Sequence, residues 1–218
     1  MEAKRAAIYG GTFDPVHNGH LKVARRVQTL FGLDEVIFVP ACVPPHKRGA
    51  GISSAFHRFA MLALATENDE RLRVSTIELD QPDRPYAVET VARMQELLGD
   101  GCRLFFVMGA DSWSEITTWR EWQKLLKMCD HIVVTRPGYE VAVSAAGVSD
   151  VRGEADDAVQ AALRETDGPR VFVTDAVFDD VSATAIRAAA RDVNANELKK
   201  MVPPEVAAYI EKYKLYRN

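Results

Sequence analysis

Ile8-Tyr9-Gly10-Gly11-Thr12-Phe13-Asp14-Pro15-Val16-His17-Asn18-Gly19-His20 is the stretch on which the reading of this chain turns. Ala6 to Tyr9 is a short apolar run suited to a buried strand, and Gly10 and Gly11 permit backbone angles and a close ligand approach that a Cβ would block. Asp14-Pro15 marks one turn and Asn18-Gly19 a second, after which Leu21, Val23, Ala24, Val27 and Leu30 recur as a helical stripe. The pattern is strand, tight turn, helix, with the helix expected from about His20. A helix start carries unpaired backbone N–H groups and a partial positive charge, so phosphate is the ligand it binds most readily. His17 and His20 flank that start, and both imidazoles can donate to phosphate oxygens. Their three-residue spacing puts them on one side of the first turn if the helix begins by His17. Two rival readings stand beside this one. An HxxH pair could ligate a metal, although no acidic or cysteine partner stands at ligand spacing nearby, so no metal site is expected. Either histidine alone could also be an inert part of a surface turn.

Working outward, the 218 residues with 47% hydrophobic content suffice for one well-filled core and are few for two, so a single domain over 1-218 is expected. A net charge of -4 gives no general attraction to nucleic acid or to an anionic membrane. Phosphate binding must therefore come from donors gathered at one place. Cys42, Cys102 and Cys129 are odd in number, far apart and without metal-ligand spacing, which reads as reduced thiols of a cytoplasmic protein. No apolar run approaches a membrane span, and no targeting segment is evident, so no membrane partner is expected.

Glu35 to Val39 is a second strand, which with the first helix makes a βαβ unit and a parallel pair. The loop that follows carries Pro44-Pro45-His46-Lys47-Arg48 and leaves the carboxyl edge, where open α/β sheets bind ligands; its bland reading is a solvated basic loop. Phe56 to Thr66 is apolar nearly all round and reads as a buried helix with Ser53 or Ser54 as cap. Leu72 to Leu79 alternates like a strand, and Val88 to Leu98 reads as a helix behind the proline-stiffened loop 80–87, which offers Tyr86 beside fresh helix-start N–H groups. Arg103 to Met108 is a further buried strand, ending at Gly109-Ala110-Asp111, where Asp111 reads as the cap of a helix from Ser112. Trp113 and Trp122 are expected in the core. Asp130 to Thr135 and Arg170 to Thr174 complete the strands; residues 140–169 read as a variable surface stretch with one helix near Asp156 to Glu165. Ser182 is a helix cap, with Thr184 and Arg187 on or near the first turn of a second anion-ready helix end. A closing helix is expected from Met201 to Tyr216, so that about 182-218 forms a C-terminal helical part.

Gly10 through His20 resembles the signature of the HxGH nucleotidyltransferase superfamily over eleven consecutive positions, and within it the chain is most similar to the bacterial nicotinate-nucleotide adenylyltransferases. The loop around Lys47 resembles that family's PPHK loop, Thr117-Thr118-Trp119 its Thr-Trp turn, and Val181-Ser182-Ala183-Thr184-Ala185-Ile186-Arg187 its ISxTxIR motif. The C-terminal tail is similar too, so the resemblance extends over nearly the whole chain.

The resemblance implies an α/β, Rossmann-like open and mainly parallel sheet with helices on both faces. It implies adenylyl transfer from ATP to nicotinate mononucleotide, with Mg²⁺ arriving on the ATP. His17, His20 and Lys47, the last alone or with His46, would act on the phosphates. Gly10, Gly11, Thr12, Phe13, Asp111, Ser182, Thr184 and Arg187 would hold ATP, Asp111 at the ribose and the last three at the triphosphate tail. Tyr86, Ala87, Trp119 and Arg136 would form the acceptor side, Trp119 by stacking on the pyridine ring and Ala87 through its backbone N–H. At that place the family carries a Ser-Tyr-Thr-like segment whereas this chain has Pro85-Tyr86-Ala87, so its hydroxyls are missing. Direct contact by Arg120 or Arg136 is left open. So are the rival acceptors, nicotinamide mononucleotide and phosphopantetheine, a silent nucleotide-binding regulatory protein on the same scaffold, and assembly into a homo-oligomer.

Overall fold

The computed structural model describes residues 3–42, 52–81, 85–135, 147–164, 168–175 and 181–217. The chain runs β1 (Lys4–Gly11), α1 (Asn18–Phe31), β2 (Glu35–Pro40), α2 (Ala55–Thr66), β3 (Leu72–Val74), α3 (Ala87–Leu98), β4 (Cys102–Gly109) and α4 (Ala110–Ser114). A 3₁₀ turn at Ile116–Thr118 leads into α5 (Trp122–Met128), β5 (Asp130–Val134), β6 (Val148–Asp150), α6 (Asp156–Ala162), β7 (Val171–Thr174), α7 (Ala183–Arg191), α8 (Ala195–Met201) and α9 (Pro204–Tyr213). Among the described residues, seven strands form one sheet in the order β3-β2-β1-β4-β5-β7-β6. Every pairing is parallel.

Strand alternation decides what each face buries. Ala7, Phe38, Phe105, Val107, Ile132 and Phe172 point to the face covered by α1, α2 and α6 to α9. Ile8, Ile37, Leu104, Phe106, Val133 and Val173 point to the opposite face, under α3, α4 and α5. The open, parallel sheet with helices on both faces is thus the expected architecture. Helix α1 covers the centre because Leu21, Ala24, Val27, Leu30 and Phe31 share one stripe, and Gly32 ends it in the left-handed region at φ 59, a conformation without the usual steric penalty only for glycine.

Several boundaries differ from the sequence expectation, each for a local reason. Helix α1 begins at Asn18, with His17 as its N-cap, rather than near His20. The run from Leu72 stops pairing after Val74, because the Ser75 hydroxyl accepts from Ile77 N–H and the Thr76 side chain bonds Asp80, which pulls the backbone into a turn. Helix α4 starts at Ala110, so Asp111 lies inside its first turn and Gly109 is the N-cap. The closing helix is α9, which has the expected proline in its first turn but runs from Pro204 to Tyr213, while Met201 ends the separate helix α8 ahead of Pro203. The larger correction concerns residues 148–163. They are no mere surface stretch: β6 forms the sheet edge, while Val151, Val159 and Leu163 are buried in the core. Arg26 pairs with Asp156 at 2.6 Å and Gln160 donates to the Thr29 carbonyl at 3.0 Å, tying α6 to α1. A three-residue strand is too short for its alternation to stand out in a sequence.

Between the sheet and α3 to α5 lies a buried histidine. Burial pushes His131 down to about 4 from its ordinary 6.5, against smaller opposing pulls from the Cys129 backbone and the Asp130 carboxylate. A lowered pKa means that the folded chain binds fewer protons than the unfolded chain below about pH 6.5, so stability falls as pH drops toward 4. Between pH 8 and pH 5 this one ring should remove about 2 kcal/mol. Urea unfolding at both pH values should therefore give a smaller acid loss for His131→Phe than for the wild type. Equal losses would mean that the ring is solvated or paired when charged.

Candidate active site

The order of strands reverses at β1, which has β2 on one side and β4 on the other, and in such sheets the crevice for a ligand opens at the carboxyl ends of those strands. Both β1 and β4 end there in glycine, Gly11 and Gly109. A Cβ on Gly10 would meet Phe106 only at ordinary distance, whereas a Cβ on Gly11 would lie 2.8 Å from the Phe13 ring. Phe13 itself is in the left-handed region at φ 50, unusual for an aromatic residue. That backbone folds its buried ring back against Tyr9, Phe38 and His20.

His17 and His20 meet at the start of α1. Their rings stack with centroids 3.7 Å apart, and the His17 backbone N–H donates to His20 Nδ1 at 3.3 Å. An Nδ1 that accepts carries no proton, so the neutral His20 ring keeps its proton on Nε2, as a donor. His17 is buried and His20 half-buried. The pair is thus one packed unit at a helix N-terminus.

A second helix start converges on the same turn. Ser182 caps α7 by accepting from Ala185 N–H at 3.2 Å. One turn on, Arg187 donates through Nη1 to the Asp14 carbonyl at 2.8 Å and through Nη2 to Thr184 Oγ1 at 3.2 Å. Residues 173 positions apart are thereby brought together, and Arg187, with Thr184 bonded to it, stands against the turn that leads to His17. Across β4, Asp111 is exposed in the first turn of α4, with its Oδ1 only 2.5 Å from where a Gly109 Cβ would sit. Glycine there leaves room for the carboxylate to fold over the strand end. Thr12 has its carbonyl held by Arg58 Nη1 at 2.8 Å.

The expected acceptor residues form a second group. Tyr86 caps α3 and is 41% exposed, its backbone N–H donating to Glu89 Oε2 at 2.9 Å, and Ala87 opens the helix. Arg120 lies 4.6 Å over the Tyr86 ring, a cation–π contact that joins the α3 start to the turn carrying Trp119. Trp119 packs edge-on against Phe106, at 6.3 Å and 86°. Trp113 and Trp122 are half-buried against the same core layer. Lys47, His46 and Arg136 lie outside the described residues.

Two residues of this region were not read from the sequence as part of the site: Arg58 and Tyr216. Arg58 carried a signal, being the one arginine or lysine in the mostly apolar run from Phe56 to Ala65. Tyr216 carried no signal beyond the resemblance of the tail, because its partner Asp14 is 202 residues away.

The model of the family described as cytidylyltransferase-like matches residues 8–189. The chain belongs to that family. Within it, a probable nicotinate-nucleotide adenylyltransferase of Thermoanaerobacter sp. (strain X514) is 37% identical over 214 residues, covering 98% of this chain and 95% of the relative. The protein of the same description from Roseiflexus castenholzii is 36% identical over the full length of both chains. Nicotinate-nucleotide adenylyltransferases are therefore the branch of the family to which the chain belongs. Among solved structures, the Plasmodium falciparum nicotinic acid mononucleotide adenylyltransferase complexed with NaAD superposes with a TM-score of 0.73 over 98% of this chain and 97% of that one. At 20% identity that likeness speaks for the cytidylyltransferase-like fold alone.

Proposed function

We propose that this protein transfers the adenylyl group of ATP to nicotinate mononucleotide, releasing pyrophosphate and forming deamido-NAD. The observation that carries the reading is the convergence of two helix starts, α1 with His17 and His20 and α7 with Ser182, Thr184 and Arg187, on the turn after β1. The full-length relatives named nicotinate-nucleotide adenylyltransferase supply the acceptor.

A phosphate monoester has its second pKa near about 6 and is mostly a dianion at neutral pH, so its oxygen can attack the α-phosphorus of ATP without a general base. The new P–O bond forms as the bond to the β-phosphate bridging oxygen breaks, and pyrophosphate leaves with that electron pair. What remains for the protein is alignment and the offset of charge on the α-phosphoryl oxygens and the leaving group. His20 Nε2, with His17 behind it, donates to the α-phosphoryl oxygens, and Lys47 neutralises the phosphates. Ser182, Thr184 and Arg187 hold the departing pyrophosphate, Gly10 to Phe13 line the turn, and Asp111 takes the ribose hydroxyls. Tyr86, Ala87, Trp119 and Arg136 serve the nicotinate nucleotide, Trp119 by offset stacking on the pyridine ring. Imidazoles, hydroxyls and a guanidinium suit phosphate oxygens rather than a hard cation, so Mg²⁺ enters held by the triphosphate and water.

Pyrophosphate release from Mg-ATP, with nicotinate mononucleotide, nicotinamide mononucleotide and phosphopantetheine offered in parallel, tests this directly. Release is expected with nicotinate mononucleotide above both others. Preference for another acceptor would discard the acceptor assignments while keeping the phosphate chemistry, and silence with all three would point to a binding protein.

A further inference from the structure

Asp14 sits inside the motif turn, buried, yet it faces the protein rather than the ligand crevice. Its Oδ1 accepts from the Tyr216 hydroxyl at 2.7 Å, its Oδ2 from Ser53 N–H at 3.2 Å, and its carbonyl from Arg187 at 2.8 Å. Beside it, Arg58 is fully buried and spends its guanidinium on main-chain carbonyls: Nε on Ser53 at 3.1 Å, Nη1 on Thr12 at 2.8 Å, and Nη2 on Ala41 at 2.6 Å and Cys42 at 3.2 Å. One planar fork thus pins the β1 turn, the end of β2 and the approach to α2 to one another, an arrangement that a lysine ammonium cannot reproduce. The C-terminal tail joins the same cluster at a local backbone penalty. Tyr216 is held at φ 66, in the left-handed region that aromatic residues avoid. Strain of that kind persists only where surrounding contacts over-determine it, and here the ring packs against the core while the hydroxyl reaches Asp14.

We propose that Arg58 and Tyr216 are positioning residues for the ATP side of the reaction: through Thr12 and Asp14 they set the turn that carries His17 and orient the Asp14 carbonyl on which Arg187 rests. The inference depends on the ATP reading above and adds that the C-terminal tail, 202 residues from the turn it reaches, helps to build the nucleotide site. Neither side chain is assigned a contact with substrate. The acceptor side, at the α3 start and Trp119, shares no hydrogen bond with Asp14 or Tyr216 and should not feel the loss of the Tyr216 hydroxyl, whereas Arg58 is linked to it: Cys42, whose carbonyl Arg58 holds, donates its N–H to Glu78 Oε2 at 3.4 Å, and Glu78 Oε1 accepts from Thr90 Oγ1 of α3 at 2.9 Å.

The test uses the full chain with Tyr216→Phe, which deletes one hydroxyl and keeps the ring, and with Arg58→Lys, which keeps the charge and removes the fork. Calorimetry with an ATP analogue non-hydrolysable between the α- and β-phosphates measures the ATP side, and tryptophan quenching by nicotinate mononucleotide measures the acceptor side. In Tyr216→Phe the analogue should bind about tenfold more weakly, from loss of a hydrogen bond to a buried carboxylate. Acceptor affinity in Tyr216→Phe should stay within about twofold of the wild type, since Asp14 bonds Tyr216, Ser53 and Arg187, none of them in α3 or at the Trp119 turn. Arg58→Lys should weaken the analogue by more than Tyr216→Phe does, and should weaken the nicotinate nucleotide to a smaller degree through the Cys42–Glu78–Thr90 link. Unchanged analogue affinity in folded Tyr216→Phe overturns the inference, as does equal weakening of both ligands, which is general loosening. Should Arg58→Lys fail to fold, Tyr216→Phe still decides. A wild-type chain that binds no analogue would instead bring down the ATP reading itself, whereas wild-type binding of the analogue without the nicotinate nucleotide would bring down only the acceptor.

Discussion

Replacing His20 by alanine should lower kcat by about 10²–10³-fold, the range seen when a donor to developing transition-state charge is removed. The expectation rests on the position of the ring rather than on its presence in a motif. His20 Nδ1 is occupied by the His17 backbone N–H, so Nε2 is the nitrogen that can donate, and the stacked His17 ring fixes its direction. Stability should change little by comparison. The lost backbone bond belongs to the end of α1, where a cap is worth about 1 kcal/mol, and for a chain of this length that lowers Tm by roughly 2–4 °C. Nicotinate mononucleotide should bind as before. Single-turnover rates measured beside thermal unfolding separate the two effects, and near-normal turnover in a folded His20→Ala protein would remove the residue from the mechanism.

Arg187→Met should reduce kcat/KM for ATP by about 10²-fold, by the same reasoning for a cation facing a leaving group. Two of the guanidinium's donors are already placed, Nη1 on the Asp14 carbonyl and Nη2 on Thr184 Oγ1, so the fork arrives oriented and loses little freedom when it meets pyrophosphate. Arg187→Lys should recover only part of the loss, since it restores a charge without the planar fork. KM for the nicotinate nucleotide should not move. Were Arg187→Met to leave both kcat and the ATP KM unchanged, α7 would be a structural neighbour of the turn and the pyrophosphate would have to be held elsewhere.

Much of the molecule was readable because it depends on short-range rules. The strand, turn and helix around Gly10 to His20, the buried strands at Glu35, Arg103 and Asp130, and Ser182 as a cap follow from apolar periodicity, glycine and proline placement, and side-chain capping, all of which act within a few residues. Errors arose where a competing contact overrode the periodic signal. The alternation that begins with Leu72 and Val74 reaches Thr76 next, and the bond from that hydroxyl to Asp80 wins over sheet pairing. β6 is only three residues long and exists because β7 offers it an edge to pair with.

By itself the sequence determined the family of the chain, the strand–turn–helix that carries His17 and His20, and the kind of ligand such a helix start attracts, because each is written in contiguous residues. Only the tertiary structure decided that Arg187 lies on the Asp14 carbonyl, that Arg120 covers Tyr86, and that Tyr216 reaches across 202 residues to a buried carboxylate. The physical reason is that these contacts are products of sheet order. A parallel sheet that reverses at β1 gathers the carboxyl ends of separated strands at one edge, and no local pattern records which distant side chains will meet there.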